Sequence, residues 1–404
     1  MLIKLPALKP EIIFIIIGLI FGIAFTLINP IFQVPDEPAH YVKVLDLTYG
    51  IVFVDHSKIF VNLYSPIPYL IPTLAMLMGK LLGLSNLVQF YMGRLANLFF
   101  YLIVIFLAIK YTPVLKWVFV LLGLMPMAIY EAASFSSDGF NIAISFLLIA
   151  FILKLALDDK IVNINHGQIL IIFMLGILLA LSKEVYILLL FLYLIIPKQK
   201  FDNERIRYLC FIGIFLFSVI IALIWAILAK NIYVPISDYV SVIGQLEFIL
   251  YHPISFMGVY INTILTNFTY YMITFVGSLV WTDVGIDTPL PPVLVCSFVI
   301  LLFIAALTDS SDVNIELDHK LIFLLIFLTT FTSIFTMEYL MWTDVGKNVI
   351  DGVYGRYFIP IAPLLLLGVY NNRIKDFKGK NIILTVFILI TLFVALFLIY
   401  NKFY

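Results

Sequence analysis

Two adjacent carboxylates and an imidazole lie close together in Val34-Pro35-Asp36-Glu37-Pro38-Ala39-His40-Tyr41. A carboxylate takes a proton from a hydroxyl group or holds a cation, and a nearby histidine adds a second group able to carry a proton or bind a polar ligand. Pro38 suits the first turn of a helix, so Asp36 or Glu37 is expected to cap a short amphipathic helix over 38–49 that stops at Gly50. Capping accounts for one carboxylate and leaves the other, with His40 one turn below, for chemistry.

Cations that match this pair stand far away in the chain. Arg94 lies in Tyr91-Met92-Gly93-Arg94-Leu95, and Lys183 is followed by Glu184 and Tyr186. Arg356 lies in Gly352-Val353-Tyr354-Gly355-Arg356-Tyr357-Phe358-Ile359-Pro360, a turn that sets a guanidinium beside aromatic rings. Glu131 and Asp138 bracket a Ser-rich turn. Each has a plain structural alternative: Arg94 as a boundary anchor, Asp138 as a helix cap, Lys183-Glu184 as a turn. Metal chemistry has less support. No histidine has ligand spacing to another His or Cys, and Cys210 and Cys296 sit inside apolar runs as core residues. No phosphate-binding glycine loop, HExxH or serine elbow occurs, and nothing points to nucleic acid.

The elements that must gather these residues are membrane helices. The chain is 63% hydrophobic and 12% charged, far below the roughly 25% charged residues of soluble domains. Apolar runs over about 11–29, 93–110, 114–131, 139–157, 168–182, 185–197, 208–229, 290–307, 321–338, 358–371 and 381–400 predict about 11 transmembrane helices in an all-α polytopic protein. Two further stretches, about 66–83 and 253–280, carry prolines or many polar residues and are expected to lie in or dip into the outer boundary. With the N-terminus cytoplasmic, most of the 24 Lys and Arg fall on inner loops, as the positive-inside rule requires. Residues 1–404 then form one integral membrane domain. It has an N-terminal helical block over about 1–230 with outer loop 30–92, an outer region 231–289 and a C-terminal block 290–404. All the candidate residues fall on the outer side. The pentapeptide echo Trp281-Thr282-Asp283-Val284-Gly285 and Trp342-Thr343-Asp344-Val345-Gly346 reads as paired boundary anchors and turns, or else as an Asp in either copy that touches a substrate.

The order Pro-Asp-Glu-Pro-Ala-His after the first helix, Arg94-Leu95 before the next, a Ser-rich turn with Asp138, Lys183-x-x-Tyr186, and Tyr354-Gly355-Arg356-Tyr357-Phe358-Ile359-Pro360 resembles one family. It is a family of uncharacterised bacterial polytopic membrane proteins that looks related to the GT-C superfamily of membrane glycosyltransferases. The resemblance covers nearly the whole chain. It implies a sugar transferred from a polyprenyl-phosphate-linked donor to a glycan or lipid acceptor at the extracytoplasmic face of the bacterial inner membrane. By position, the acidic pair of that superfamily falls on Asp36-Glu37. Asp36 is then the base, and Glu37 orients the acceptor or holds a divalent cation, the one cofactor suggested. Arg356, Arg94 and Lys183 stabilise the departing phosphate, which needs no general acid because it leaves as a stable anion. His40 and Tyr357 line the sugar, and Asp138, Glu184 and Tyr186 complete the binding set. The alternative from another class is a transporter or flippase for lipid-linked glycans, which should show repeats, broken helices and ionisable groups at mid-membrane.

Overall fold

The computed structural model describes residues 8–53, 63–233, 235, 237–282, 285–309, 311–374 and 376–404. Asp283 and Val284 of the first pentapeptide, and the part of the outer loop holding His56, lie outside these residues. The chain is a helical assembly. Six described helices are long and apolar enough to cross a membrane: α1 (Pro10–Ile28), α4 (Asn86–Tyr111), α7 (Asp138–Leu157), α9 (Glu204–Ala229, extended by one further turn), α13 (Leu317–Trp342) and α15 (Lys380–Phe403).

The expected count of eleven continuous spans does not appear among the described residues. The other five runs form shorter or broken elements. One is split into α5 (Lys116–Gly123) and α6 (Pro126–Ala132). Pro126 interrupts it, because proline lacks the N–H that the preceding turn needs. The others are α8 (His166–Ala180), a 3-10 segment Glu184–Ile195, α12 (Pro292–Leu307), and a second 3-10 segment Gly355–Ile361 leading into α14 (Ala362–Val369). The two ambiguous stretches also resolve. Residues Leu70–Leu81 form α3, at about 18 Å too short to cross. Farther along, α10 (Val242–Tyr251) and α11 (Pro253–Val276) meet at 110°, with Pro253 at the bend. A small hairpin, β1 (Ser278–Thr282) against β2 (Gly285–Pro289), adds strand to the expected all-helical class, in antiparallel register with Ser278 opposite Pro289.

Burial follows composition. Helix α7 is apolar on every side and buried along most of its length, so it forms the axis of the bundle. It packs on α4, α6, α8 and both 3-10 segments. By contrast α9 buries only 11% and turns Leu209, Ile220, Leu223 and Ile227 outward. Exposed apolar surface on that scale fits a surround of lipid rather than water. The blocks before and after the α10–α11 bend are not separate bodies: α1 packs on α15, and α5 on α12 and α14. The short helix α2 (Glu37–Thr48) sits at the end of the bundle where α1 finishes, and Gly50 beyond it has φ +77°.

Candidate functional site

Asp36 holds the N-cap position of α2 but caps nothing. Its backbone is left-handed, φ 61°, and its side chain makes no bond to the first turn. An aspartate tolerates that conformation at some cost. Its carboxylate instead accepts a hydrogen bond from Arg356 Nη2, Oδ2 lying 2.6 Å away across most of the sequence. Arg356 is buried and stands among three carboxylates. Asp138 Oδ2 is 2.9 Å from Nε, off the hydrogen-bonding angle, and Glu131 Oε1 is 3.7 Å from Nη1. Asp138 is therefore the first residue of α7 without spending its side chain as a cap. The guanidinium carbon also lies 4.6 Å from the centre of the Tyr354 ring and 5.4 Å from that of Tyr357, the aromatic setting the motif predicts.

Backbone contacts fix this arginine. A Cβ on Gly355 would stand 2.0 Å from Tyr271 O of α11, so only glycine permits this approach. Gly355 N donates to Thr274 Oγ1 at 2.8 Å in the same contact. Thus α11, which runs beside the long α13, supplies the rear wall of the Arg356 site.

Glu37 and Arg94 meet each other and not the cluster. Nε of Arg94 donates to Oε1 at 2.7 Å and Nη2 to Oε2 at 2.5 Å, with both side chains wholly buried. The remaining Arg94 N–H groups donate to the carbonyls of Thr26, Asn29 and Pro30. All five donors are thus occupied, and Glu37 Oε2 also accepts from Phe32 N. The expected catalytic pair is split: Asp36 reaches the cluster, while Glu37 has no open face for an acceptor or a cation, and Arg94 no donor for a phosphate.

His40 points into the site from α2. Its Nδ1 is 2.8 Å from Tyr69 Oη, and its ring stacks near that of Tyr64. Burial lowers its pKa to about 4, against the opposing pull of the Asp36 and Asp138 carboxylates, so the imidazole is neutral near pH 7. Lys183 Nζ stands 3.3 Å from the centre of the Tyr357 ring and 4.0 Å from Glu338 Oε1 on α13. Tyr186, in the first turn of the 3-10 segment 184–195, donates to Tyr357 O at 2.8 Å and ties that segment to the Arg356 turn. The Tyr357 ring therefore touches both Arg356 and Lys183.

Two connected hollows open beside Lys183. The smaller, about 100 Å³, is lined by Tyr64, Lys183, Glu184, Glu338 and Trp342 among others. A larger apolar groove, about 520 Å³, runs between α8, α9 and α13 past Val219, Leu223 and Met341. Both are bordered by Tyr64, Glu184 and Met337, so the polar hollow and the apolar groove share a wall. Trp225 Nε1 donates to Leu63 O at 2.7 Å, and Ser65 Oγ donates to Leu181 O, which hold residues 63–65 over the groove.

Asp36, Asp138, His40, Lys183, Glu184, Tyr186, Arg356 and Tyr357 thus gather at one end of the bundle. Sequence reasoning missed Glu338. The available signal was a lone carboxylate near the end of an otherwise apolar helix, a costly placement unless it has a partner. Asp344 of the second pentapeptide belongs to a loop clamp, accepting from Ser237 Oγ and pairing with Lys347 at 3.3 Å. Among the described residues no cluster of three or more His, Cys, Asp or Glu is arranged to hold a metal ion.

The model of a family described as predicted membrane protein (DUF2142) matches residues 52–365, a span that includes Arg94, Asp138, Lys183 and Arg356 and begins after Asp36. No curated protein and no solved structure matches the chain.

Proposed function

The chain belongs to this membrane-protein family, and we propose that it is a GT-C-like membrane glycosyltransferase. In this reading it moves a sugar from a polyprenyl-phosphate-linked donor to an envelope glycan or lipid acceptor at the extracytoplasmic face of a bacterial inner membrane. The observation that carries the reading is the apolar groove that adjoins the small hollow lined by Lys183, near a buried cluster whose most exposed carboxylate is Asp36. The Asp36 side chain is 35% exposed, against 14% for Asp138 and none for Glu131.

In this reading the geometry suggests a division of labour. The groove takes the prenyl chain and Lys183 the phosphate. Arg356 is already engaged by Asp36 and Asp138, with Glu131 beside it, so in this reading it orients Asp36 instead of binding the donor. Asp36 takes the proton of the acceptor hydroxyl. The acceptor oxygen bonds to the anomeric carbon, the carbon–oxygen bond to the phosphate breaks, and the electron pair leaves on the phosphate. His40 is neutral near pH 7 and lines the site with Tyr357. Glu37 and Arg94 form the frame that anchors the start of α2 to the end of α1.

The test uses full-length protein in nanodiscs with a panel of polyprenyl-phosphate sugars and reads release of polyprenyl phosphate. Asp36→Asn should lower the rate by about 10²–10⁴-fold, the usual contribution of a positioned base, with folding unchanged. Release at the wild-type rate by that variant would overturn the assignment. A second reading, flipping of a lipid-linked glycan, draws support from the interrupted helices α5–α6 and α10–α11 and the 3-10 segments. Movement of a labelled lipid across sealed vesicles without donor breakdown would favour it.

A further inference from the structure

We infer that Glu338 is a specificity-determining residue that opposes retention of the cleaved lipid phosphate at Lys183. This rests on the proposed reading, in which a lipid phosphate enters the groove. Glu338 is 7% exposed. Its carboxylate is held against the loop that leads to Arg356: a Cβ on Gly352 would stand 3.0 Å from Oε2, and Gly352 has φ +79°. At 4.0 Å from Lys183 Nζ it attracts the ammonium group without a hydrogen bond. Among the described residues the ammonium group donates no hydrogen bond, although its side chain is only 12% exposed. Lys183 and Glu338 both line the small hollow at the head of the groove, and the Tyr357 ring lies against Lys183 Nζ.

A phosphate oxygen placed on those donors would stand close to Glu338 as well. The sugar-linked donor is a phosphodiester with one negative charge. The product left after transfer is a phosphomonoester that carries up to two. Repulsion from Glu338 therefore rises at the moment the sugar departs, and Glu338 reclaims Lys183 as the product leaves. The carboxylate thus sets the preference of the site for the esterified lipid over the bare one.

The probes are farnesyl phosphate, a sugar-free phosphomonoester, and farnesol, its uncharged counterpart, bound to the full-length protein in zwitterionic nanodiscs. At about pH 8.5, where the phosphomonoester carries two charges, Glu338→Gln should bind farnesyl phosphate at least about tenfold more tightly than wild type, since one short-range repulsion is gone. Its farnesol affinity should be unchanged, which also reports an intact groove. Equal or weaker binding of farnesyl phosphate by Glu338→Gln overturns the inference. Lys183→Met separates this from the underlying reading: it should erase the preference for farnesyl phosphate over farnesol. If wild type shows no such preference, the lipid-phosphate reading itself fails. Inorganic phosphate should not displace farnesyl phosphate at matched concentration, and displacement would refute a lipid source for the ligand.

Discussion

Arg94→Met tests whether the buried arginine is a frame or a ligand. In the folded chain Arg94 satisfies five acceptors: both Glu37 oxygens and the carbonyls of Thr26, Asn29 and Pro30. Methionine fills a similar volume and replaces none of these bonds. Glu37 then remains as a wholly buried carboxylate whose only other donor among the described residues is Phe32 N at 3.2 Å. Breaking a buried ion pair by removing one partner costs about 3–5 kcal/mol. The carbonyls that end α1 add to that cost, because a buried acceptor left unsatisfied costs about 1–3 kcal/mol. Glu37→Gln should be milder, about 2 kcal/mol, since the guanidinium keeps its three carbonyls and an amide oxygen. The assay is resistance to SDS unfolding, followed by tryptophan fluorescence in mixed micelles, with Arg94→Met lower than Glu37→Gln and both below wild type. Wild-type resistance in Arg94→Met, with weaker binding of farnesyl phosphate, would refute the framing role and return Arg94 to the ligand.

Other perturbations have directions fixed by the same geometry. His40 is folded with a pKa of about 4, below its ordinary 6.5, so its contribution to stability is full above pH 6.5 and is lost as the pH falls toward 4. The loss amounts to about 3 kcal/mol, and the acid limb of the unfolding profile should flatten in His40→Gln. Gly355→Ala drives a methyl group into Tyr271 O, where backbone meets backbone and neither side can swing away. A cost of about 3 kcal/mol or more is expected, read by the same unfolding assay, and an unchanged midpoint would show that α11 does not press on the Arg356 turn. Tyr186→Phe removes one hydrogen bond to Tyr357 O and should cost about 1 kcal/mol in that assay.

The long spans were legible because their information is local. A run such as 381–400 is apolar at every position, and only a helix satisfies its backbone in lipid. Broken elements were less legible, since apolar runs look alike whether the backbone is α-helical, 3-10 or interrupted. Residues 185–197 read as one more span, yet they form a 3-10 segment that brings Glu184 and Tyr186 to the site. The end of α2 was readable from Gly50, whereas the left-handed turn at Asp36 was not.

The sequence by itself determined that this is a multi-pass membrane protein and nominated the ionisable residues that such a protein does not place idly, because burying a charge is costly wherever the chain does it. Pairing was decided by the tertiary structure alone. Asp36 and Glu37 are neighbours in sequence with the same chemistry. One turns to Arg356 with its face partly open, and the other is sealed against Arg94. That difference comes from a left-handed residue at the head of α2, from the place where α1 ends, and from a glycine that lets α11 press against Arg356. Each is a contact between segments far apart in the chain, and no local pattern of residues encodes it.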